Sequence, residues 1–288
     1  MIATYALLTL AVVSLWLGGD DRAPKWRRFG WLAVLAAAVA AAMKCGVVHP
    51  IGLVWIVALA LAAFAFARPA LPLWVRLAAA VVILGLSLGL LTHQLPGFAN
   101  LRVLYAVRFT PDAMPYTLFL NFDKTVVGVL LLGWCHARLS RAAEMRRMLK
   151  AAAPWILPVI GVVLVLSLAA GYVRFEPKFP RETWLWLWVN LCFTCLTEEA
   201  LFRGFVQAQV QRALQHVPAG HWLAIALAAV LFGIVHAGGG ATYVALATVA
   251  GAGYGWIYLR TGRIEASILA HFTVNTVHFF LFTYPALQ

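Results

Sequence analysis

The sequence predicts an all-α fold, a polytopic membrane helix bundle of about ten transmembrane helices, since one bilayer crossing takes about 20 helical residues. Of the 288 residues, 64% are hydrophobic and 11% are charged, whereas soluble domains contain about 45–50% apolar and about 25% charged residues. The apolar excess must therefore face lipid. An aromatic content of 13% excludes a solvated, disordered chain. The apolar runs are long and lack two-residue alternation, which favours helices over a transmembrane barrel.

Charged residues, prolines and glycines separate the apolar runs. The predicted helices lie near 2–18, 29–44, 51–67, 77–92, 117–135, 154–171, 183–210, 222–237, 241–259 and 265–283. The first run lacks a basic n-region and a clear small-residue cleavage site, which favours a retained helix over a signal peptide. We expect two parts. Residues 1–150 hold N-terminal transmembrane helices and a basic juxtamembrane segment of unknown function, and 151–288 form a core whose polar motifs lie within 183–283.

The net charge of +12 is distributed unevenly among the predicted loops. The loops after the odd-numbered predicted helices contain more than twice as many Lys and Arg residues as those after the even-numbered ones. The positive-inside rule therefore predicts that the odd-numbered loops are cytoplasmic and that both termini lie outside. The basic charge is thus explained by membrane topology, and we expect the lipid bilayer as a partner and no nucleic acid.

Two charged residues lie at the start of the fifth predicted helix, Asp123 and Lys124. A charge inside a span costs at least about 2.5–3.5 kcal/mol on insertion scales, so it needs a reason. We interpret Asp123 as a helix cap and Lys124 as a side chain that extends to the membrane surface. A proton or ion relay is the alternative.

A denser cluster of charge lies inside the run 183–210, in Glu198-Glu199-Ala200-Leu201-Phe202-Arg203. Adjacent helical positions are about 100° apart, so the two glutamates point in different directions. Glu199 and Arg203 are four residues apart and are predicted to form an ion pair. Glu198 then needs a partner from another helix or a functional role, such as a general base. A structural ion-pair cluster that holds helices together is the alternative.

Histidines supply the other polar groups of the predicted core. His236 ends the predicted helix 222–237 and precedes three glycines. Further along, Ser267, His271, Asn275 and His278 recur at spacings of four, four and three. This spacing places them on one stripe of a helix, which must face protein or water rather than lipid. Each histidine alone is more typical of a satisfied interior residue, but together these groups predict a polar site within the membrane.

Such a set of groups could hydrolyse a bond inside the membrane. Glu198 is suited to act as the base that deprotonates water, and Arg203 would keep Glu199 ionised. His236 and His271 are neutral nitrogen ligands suited to zinc, which activates bound water. Asn275, one helical turn beyond His271, could complete the ligand set or donate a hydrogen bond to an oxyanion.

Three motifs resemble the signature of the CAAX-processing and bacteriocin-processing (CPBP) family. They are Glu198-Glu199-x-x-x-Arg203, Phe232-x-x-x-His236 and His271-x-x-x-Asn275. The family comprises intramembrane endopeptidases related to the type II CAAX prenyl protease. The resemblance implies a multi-helix fold, cleavage of peptide bonds, and catalytic roles for Glu198, His236, His271 and Asn275. It implies either zinc or a metal-free scheme, in which a glutamate and a histidine activate water and a histidine and an asparagine hold the oxyanion.

The sequence therefore predicts a multi-pass intramembrane endopeptidase, a CAAX-protease-like enzyme of the bacterial plasma membrane. The expected substrate is a protein or peptide with a membrane-associated segment. The predicted catalytic residues are Glu198, Glu199, Arg203, His236, His271 and Asn275, with zinc on His236 and His271 if a metal is used. Two alternatives remain open. Intramembrane Glu, Arg and His also mark proton- or ion-coupled transporters, and a non-catalytic immunity or scaffold protein could retain the motifs.

Overall fold

The computed structural model describes residues 1–17 and 24–288, with only the backbone described at 25–27. It is mostly helical with few strands, as predicted. The elements are α1 (Ile2–Leu17), α2 (Lys25–Lys44), α3 (Pro50–Phe66), α4 (Leu73–Leu91), β1 (Leu101–Val107), β2 (Tyr116–Leu120), α5 (Phe122–Cys135), α6 (Ala142–Ala169), α7 (Thr183–Val189), α8 (Leu196–Glu199), α9 (Ala208–Ala213), α10 (Gly220–Ile234), α11 (Gly240–Thr261) and α12 (Ile264–Leu281). Arg22, one of the residues behind the predicted topology, lies outside the described residues, and the topology remains a prediction.

The predicted count of about ten transmembrane helices is not confirmed. Within the described residues, three helical segments are long and apolar enough to cross a membrane: α4, α6 and the continuous run Thr183–Ala213. A fourth crossing results if α10 and the run Ala237–Thr261, which are bent by 56° at a short break, count as one span. Two of the apolar runs within the described residues form shorter helices, α1 and α3.

Residues 101–120 form an element that the sequence did not predict, a two-stranded sheet of β1 and β2. The predicted helix 117–135 therefore begins later, at Phe122, where the chain leaves β2 and enters α5. Further along the chain, the predicted helix 154–171 begins earlier, at Ala142, and includes basic residues in the single long helix α6. Two prolines, Pro154 and Pro158, lie inside it.

The contacts divide the chain into two compact units. The first unit contains Met1–Leu101, Leu120–Ala142 and Cys192–Phe205. At its centre is α5, in contact with α1, α3, α4 and α8. Residues 125–132 of α5 are all buried, which explains why this helix is apolar on every side.

The second unit contains Arg102–Phe119, Ala143–Leu191 and Val206–Gln288. Within it, α11 packs against both α10 and α12. Glycines allow close approaches of α11 to α10 and to α6. A Cβ at Gly233 of α10 would lie 2.0 Å from Thr248 Oγ1, and one at Gly253 of α11 would lie 2.7 Å from a Val159 methyl group. Small residues at helix contacts are typical of membrane bundles.

Candidate active site

Glu198 and Glu199 lie in α8, a short α-helical segment between two π-helical stretches, Asn190–Cys195 and Ala200–Gln207. A π-helical turn has a wider hydrogen-bond ring than an α-helical turn and changes the direction of the side chains that follow. Such turns are rare in proteins as a whole, and those that occur are often found at functional sites. The run that the sequence predicted as one regular helix, 183–210, is therefore irregular at the position of its charged residues.

The predicted ion pair between Glu199 and Arg203 is present in the first unit. Arg203 Nη1 donates to Glu199 Oε1 over 2.9 Å, and both side chains are fully buried. A charged hydrogen bond of this kind compensates part of the cost of removing two charges from water. The spacing of four residues was sufficient to predict the contact.

Glu198 points in a different direction from Glu199 and faces α5. Its Oε1 lies 3.7 Å from Lys124 Nζ, and the two side chains are 5% and 19% exposed. The sequence left open whether another helix supplies a partner for Glu198, and α5 supplies one. The interpretation of Lys124 as a side chain directed to the membrane surface therefore needs correction, because its ammonium group is directed to a buried carboxylate.

Asp123 is also buried, in the first turn of α5. Its Oδ2 lies 2.6 Å from His93 Nδ1, and its Oδ1 accepts hydrogen bonds from Asn100 Nδ2 and from the backbone N–H of Lys124. The residue at the N-cap position is Asn121, not Asp123. Asp123 thus satisfies one of the open N–H groups of the first turn and joins α5 to the segment that precedes β1.

In the second unit, His236 lies in the break after α10. Its Nδ1 is 2.6 Å from the carbonyl oxygen of Phe232. A carbonyl can only accept, so Nδ1 carries the proton, and Nε2 of the neutral ring is an acceptor. The ring also contacts Phe232 and the edge of Tyr243, with centroid distances of 4.6 and 5.3 Å. The chain turns here into Gly240, at φ +86°, a conformation that glycine adopts without strain.

His271 lies on α12 and is buried in the same aromatic cluster. Its ring stacks on Tyr254 of α11 at 4.7 Å, with an angle of 17° between the planes, and meets the ring of Phe232 edge-on at 5.6 Å. Phe232 thus contacts both histidines. The second unit brings together the two histidines that the sequence selected, around an aromatic residue of one of the three motifs.

The polar stripe of α12 faces protein, as its spacing predicted. Ser267 Oγ donates to the carbonyl oxygen of Tyr254 over 3.1 Å, and Asn275 Nδ2 lies 3.4 Å from Asn190 Oδ1. His278 Nε2 is 3.1 Å from the carbonyl oxygen of Thr283. The contact to Asn190 is long for a hydrogen bond, and it connects Asn275 to the start of the first π-helical stretch.

The predicted use of zinc is not supported. Among the residues that the structure describes, no group of three or more His, Cys, Asp or Glu side chains is arranged to hold a metal ion. Catalytic zinc sites use three protein ligands and an open position. His236 and His271 alone do not supply such a set, and the amide of Asn275 is a weak substitute for the third ligand.

Comparison with known proteins found a similarity for the segment that contains all six predicted site residues. Residues 180–277, about a third of the chain, match the family model described as type II CAAX prenyl endopeptidase Rce1-like. This segment is therefore similar to the CPBP family. The resemblance predicted from the three motifs is confirmed, and the family implies a protease embedded in a membrane. No curated protein and no solved structure matches the chain.

Sequence reasoning missed Lys124, Tyr254 and Asn190 as neighbours of the predicted site residues. One signal was available for Lys124, because a lysine in an apolar run requires a partner in a low-dielectric setting. Tyr254 gave no such signal, since an aromatic residue in a membrane helix is ordinary. These neighbours lie on other helices, and only the packing of those helices reveals them.

Proposed function

We propose that this chain is an intramembrane endopeptidase that hydrolyses a peptide bond in a membrane-associated protein or peptide. The single observation that carries the proposal is the family match over residues 180–277, which contains all of the motif residues in order. The proposed catalytic residues are Glu198, His236, His271 and Asn275.

Glu198 is proposed as the general base. Its carboxylate accepts a proton from water, and the resulting hydroxide attacks the carbonyl carbon of the peptide bond. The burial of Glu198 supports this role, because exclusion of bulk water strengthens the interaction between the carboxylate and a bound water molecule. The adjacent ion pair of Glu199 and Arg203 supports a fixed helix geometry around it.

His236 is proposed to orient the attacking water through Nε2, since Nδ1 is committed to the carbonyl oxygen of Phe232. His271 and Asn275 lie one helical turn apart on α12 and are proposed to donate hydrogen bonds to the oxyanion of the tetrahedral intermediate. The intermediate then expels the amine, which takes the proton that Glu198 removed from water. The products are a new carboxyl terminus and a new amino terminus.

The proposed substrate has a segment in or on the membrane, since the helices that carry the motifs are apolar. We further propose that the enzyme resides in a bacterial plasma membrane as a multi-pass protein. The motifs do not specify which substrate sequence is cleaved, so the experiment must identify substrate and catalysis together.

The test compares membrane proteomes of cells that express the wild-type chain, Glu198→Gln or Glu144→Gln. Glu144 lies in the first turn of α6, outside the proposed machinery, and serves as the matched control. We expect new protein termini with the wild type and Glu144→Gln and their loss with Glu198→Gln, with a decrease of about 10²–10⁴-fold in cleavage rate, the usual contribution of a general base.

Cleavage by a folded, membrane-inserted Glu198→Gln protein would overturn the proposed role of Glu198. If no substrate is cleaved by the wild type, a solute flux assay in proteoliposomes examines the transporter alternative. Flux that depends on a proton gradient and yields no peptide product would replace the protease proposal.

A further inference from the structure

We propose that Lys124 is a positioning residue for Glu198. Its ammonium group holds the Glu198 carboxylate in place and balances the negative charge. This inference rests on the proposed function, because Glu198 matters here as the base. It adds a residue that lies outside the matched segment 180–277. Both residues lie in the first unit.

The helices α5 and α8 are in contact. Lys124 and Gly128 are four residues apart and therefore share one face of α5. A Cβ at Gly128 would lie 2.6 Å from Thr197 Oγ1 and 2.9 Å from Thr197 Cα. Gly128 thus permits the two backbones to approach closely, and Lys124, one turn away, meets the next residue of α8, Glu198.

Hydrogen bonds fix the backbone around Lys124. The first turn of α5 is fixed by side chains from the segment before β1, since Asn100 Oδ1 accepts from the N–H of Phe122 over 2.8 Å and Asn100 Nδ2 donates to Asp123 over 2.9 Å. The backbone N–H of Lys124 donates to Asp123 Oδ1 over 2.8 Å. Fixed backbone at this residue leaves fewer positions for its long side chain.

The other charged groups near Lys124 and Glu198 have partners of their own. Arg203 pairs with Glu199, and Asp123 binds His93 and Asn100. The carboxylate of Asp123, the nearest one to Lys124 in sequence, is therefore occupied by other partners. The ammonium group of Lys124 is directed to Glu198. The separation of 3.7 Å is within ion-pair range but longer than a hydrogen bond. Lys124 accordingly acts by charge, which is screened little where one side chain is buried and the other mostly so.

The activity test uses Lys124→Met, which keeps the length of the side chain and removes its charge, and Lys124→Arg, which keeps the charge. Lys150→Met, at an exposed position of α6, is the control. We expect Lys124→Met to lower kcat by about 10-fold or more with little change in KM, because the loss concerns the reacting groups and not substrate binding. Lys124→Arg should restore most of kcat, and the control should match the wild type.

A stability cycle tests the contact without any substrate. Thermal unfolding in detergent is measured for Lys124→Met, Glu198→Gln and the double variant. When an ion pair loses one member, the other member is left as an uncompensated charge. We therefore expect the unfolding temperature of the double variant to fall by less than the sum of the decreases in the two single variants. Additive shifts would show that the two residues do not interact and would overturn the inference.

The glycine contact supplies a second, independent variant. Gly128→Ala should displace α8 from α5 and lower kcat, whereas Gly85→Ala on α4, where an added Cβ meets nothing within 4 Å, should not. Full activity of Lys124→Met would overturn the inference while leaving the proposed function intact, provided that Glu198→Gln is inactive. Full activity of Glu198→Gln would overturn the proposed function itself.

Discussion

The glutamate segment, Leu196–Gln207, and the histidine cluster, formed by Phe232, His236, Tyr254 and His271, hold their polar groups in different ways. In the glutamate segment, buried carboxylates face cations, with Glu199 against Arg203 and Glu198 against Lys124. In the histidine cluster, imidazole rings pack against aromatic rings, and one donates to a backbone carbonyl.

The difference follows from charge. An ionised group in an apolar interior costs several kcal/mol unless a counter-charge is near, so each glutamate must be paired. A neutral imidazole needs only one hydrogen bond and good packing, which aromatic neighbours supply. We therefore expect charge removal to damage the glutamate segment most, and changes of shape to damage the histidine cluster most.

The largest effect is expected for Arg203→Met, which leaves Glu199 buried without its cation. Loss of one member of a buried ion pair costs about 3–5 kcal/mol. The variant should unfold at a much lower temperature than the wild type in detergent, as measured by circular dichroism. Glu199→Gln together with Arg203→Met should recover part of this loss. A double variant no more stable than Arg203→Met would contradict the account of the glutamate segment as held by paired charges.

The next largest effect is expected for a larger side chain at Gly233, three residues before His236. An added methyl group there would lie 2.0 Å from Thr248 Oγ1 and 2.8 Å from the backbone oxygen of Val244. Overpacking of this kind costs about 1–3 kcal/mol, so Gly233→Ala should lower the unfolding temperature. Gly161→Ala on α6, where an added Cβ meets nothing within 4 Å, is the control and should be neutral or stabilising. Equal shifts for both variants would mean that close packing does not hold the histidine cluster.

A smaller effect is expected for Tyr254→Leu, which removes the ring stacked on His271 and keeps an apolar side chain. Aromatic pairs contribute about 0.5–1.5 kcal/mol beyond their buried area. The variant should be slightly less stable, and its cleavage rate should fall by more than its unfolding temperature suggests, because the imidazole loses its orientation. An unchanged rate in a folded protein would separate the stacking from catalysis.

The smallest effect concerns Lys178, a cation in the segment between α6 and α7, outside the helices. Burial lowers the pKa of Lys178 to about 8 from its ordinary 10.5, against the smaller opposite effect of Glu176. Between these two pH values, the unfolded chain binds a proton that the folded chain does not, so stability from this group rises with pH across that window. The unfolding temperature of Lys178→Met relative to the wild type should fall between about pH 8 and pH 10. A constant difference would show that the group carries no burial cost.

The sequence predicted the local part of the site well. The pair Glu199 and Arg203 and the stripe of α12 follow from the helical repeat alone, because residues four apart are neighbours whatever the fold. It predicted less of what depends on other helices. The contact of Lys124 with Glu198 and the stack of Tyr254 on His271 join residues far apart in the chain. The π-helical stretches on either side of α8 were also missed, since hydrophobic periodicity does not distinguish a π-helical turn from an α-helical one.

By itself, the sequence determined that the chain is a helical membrane protein and which residues form the family motifs, because composition and short spacings are properties of the linear chain. The tertiary structure decided how many apolar runs are long enough to cross a bilayer, and which cation faces Glu198. It also decided which rings surround the histidines. Such contacts depend on how helix faces pack, and the energy of a buried charge or ring depends on the neighbours that packing supplies.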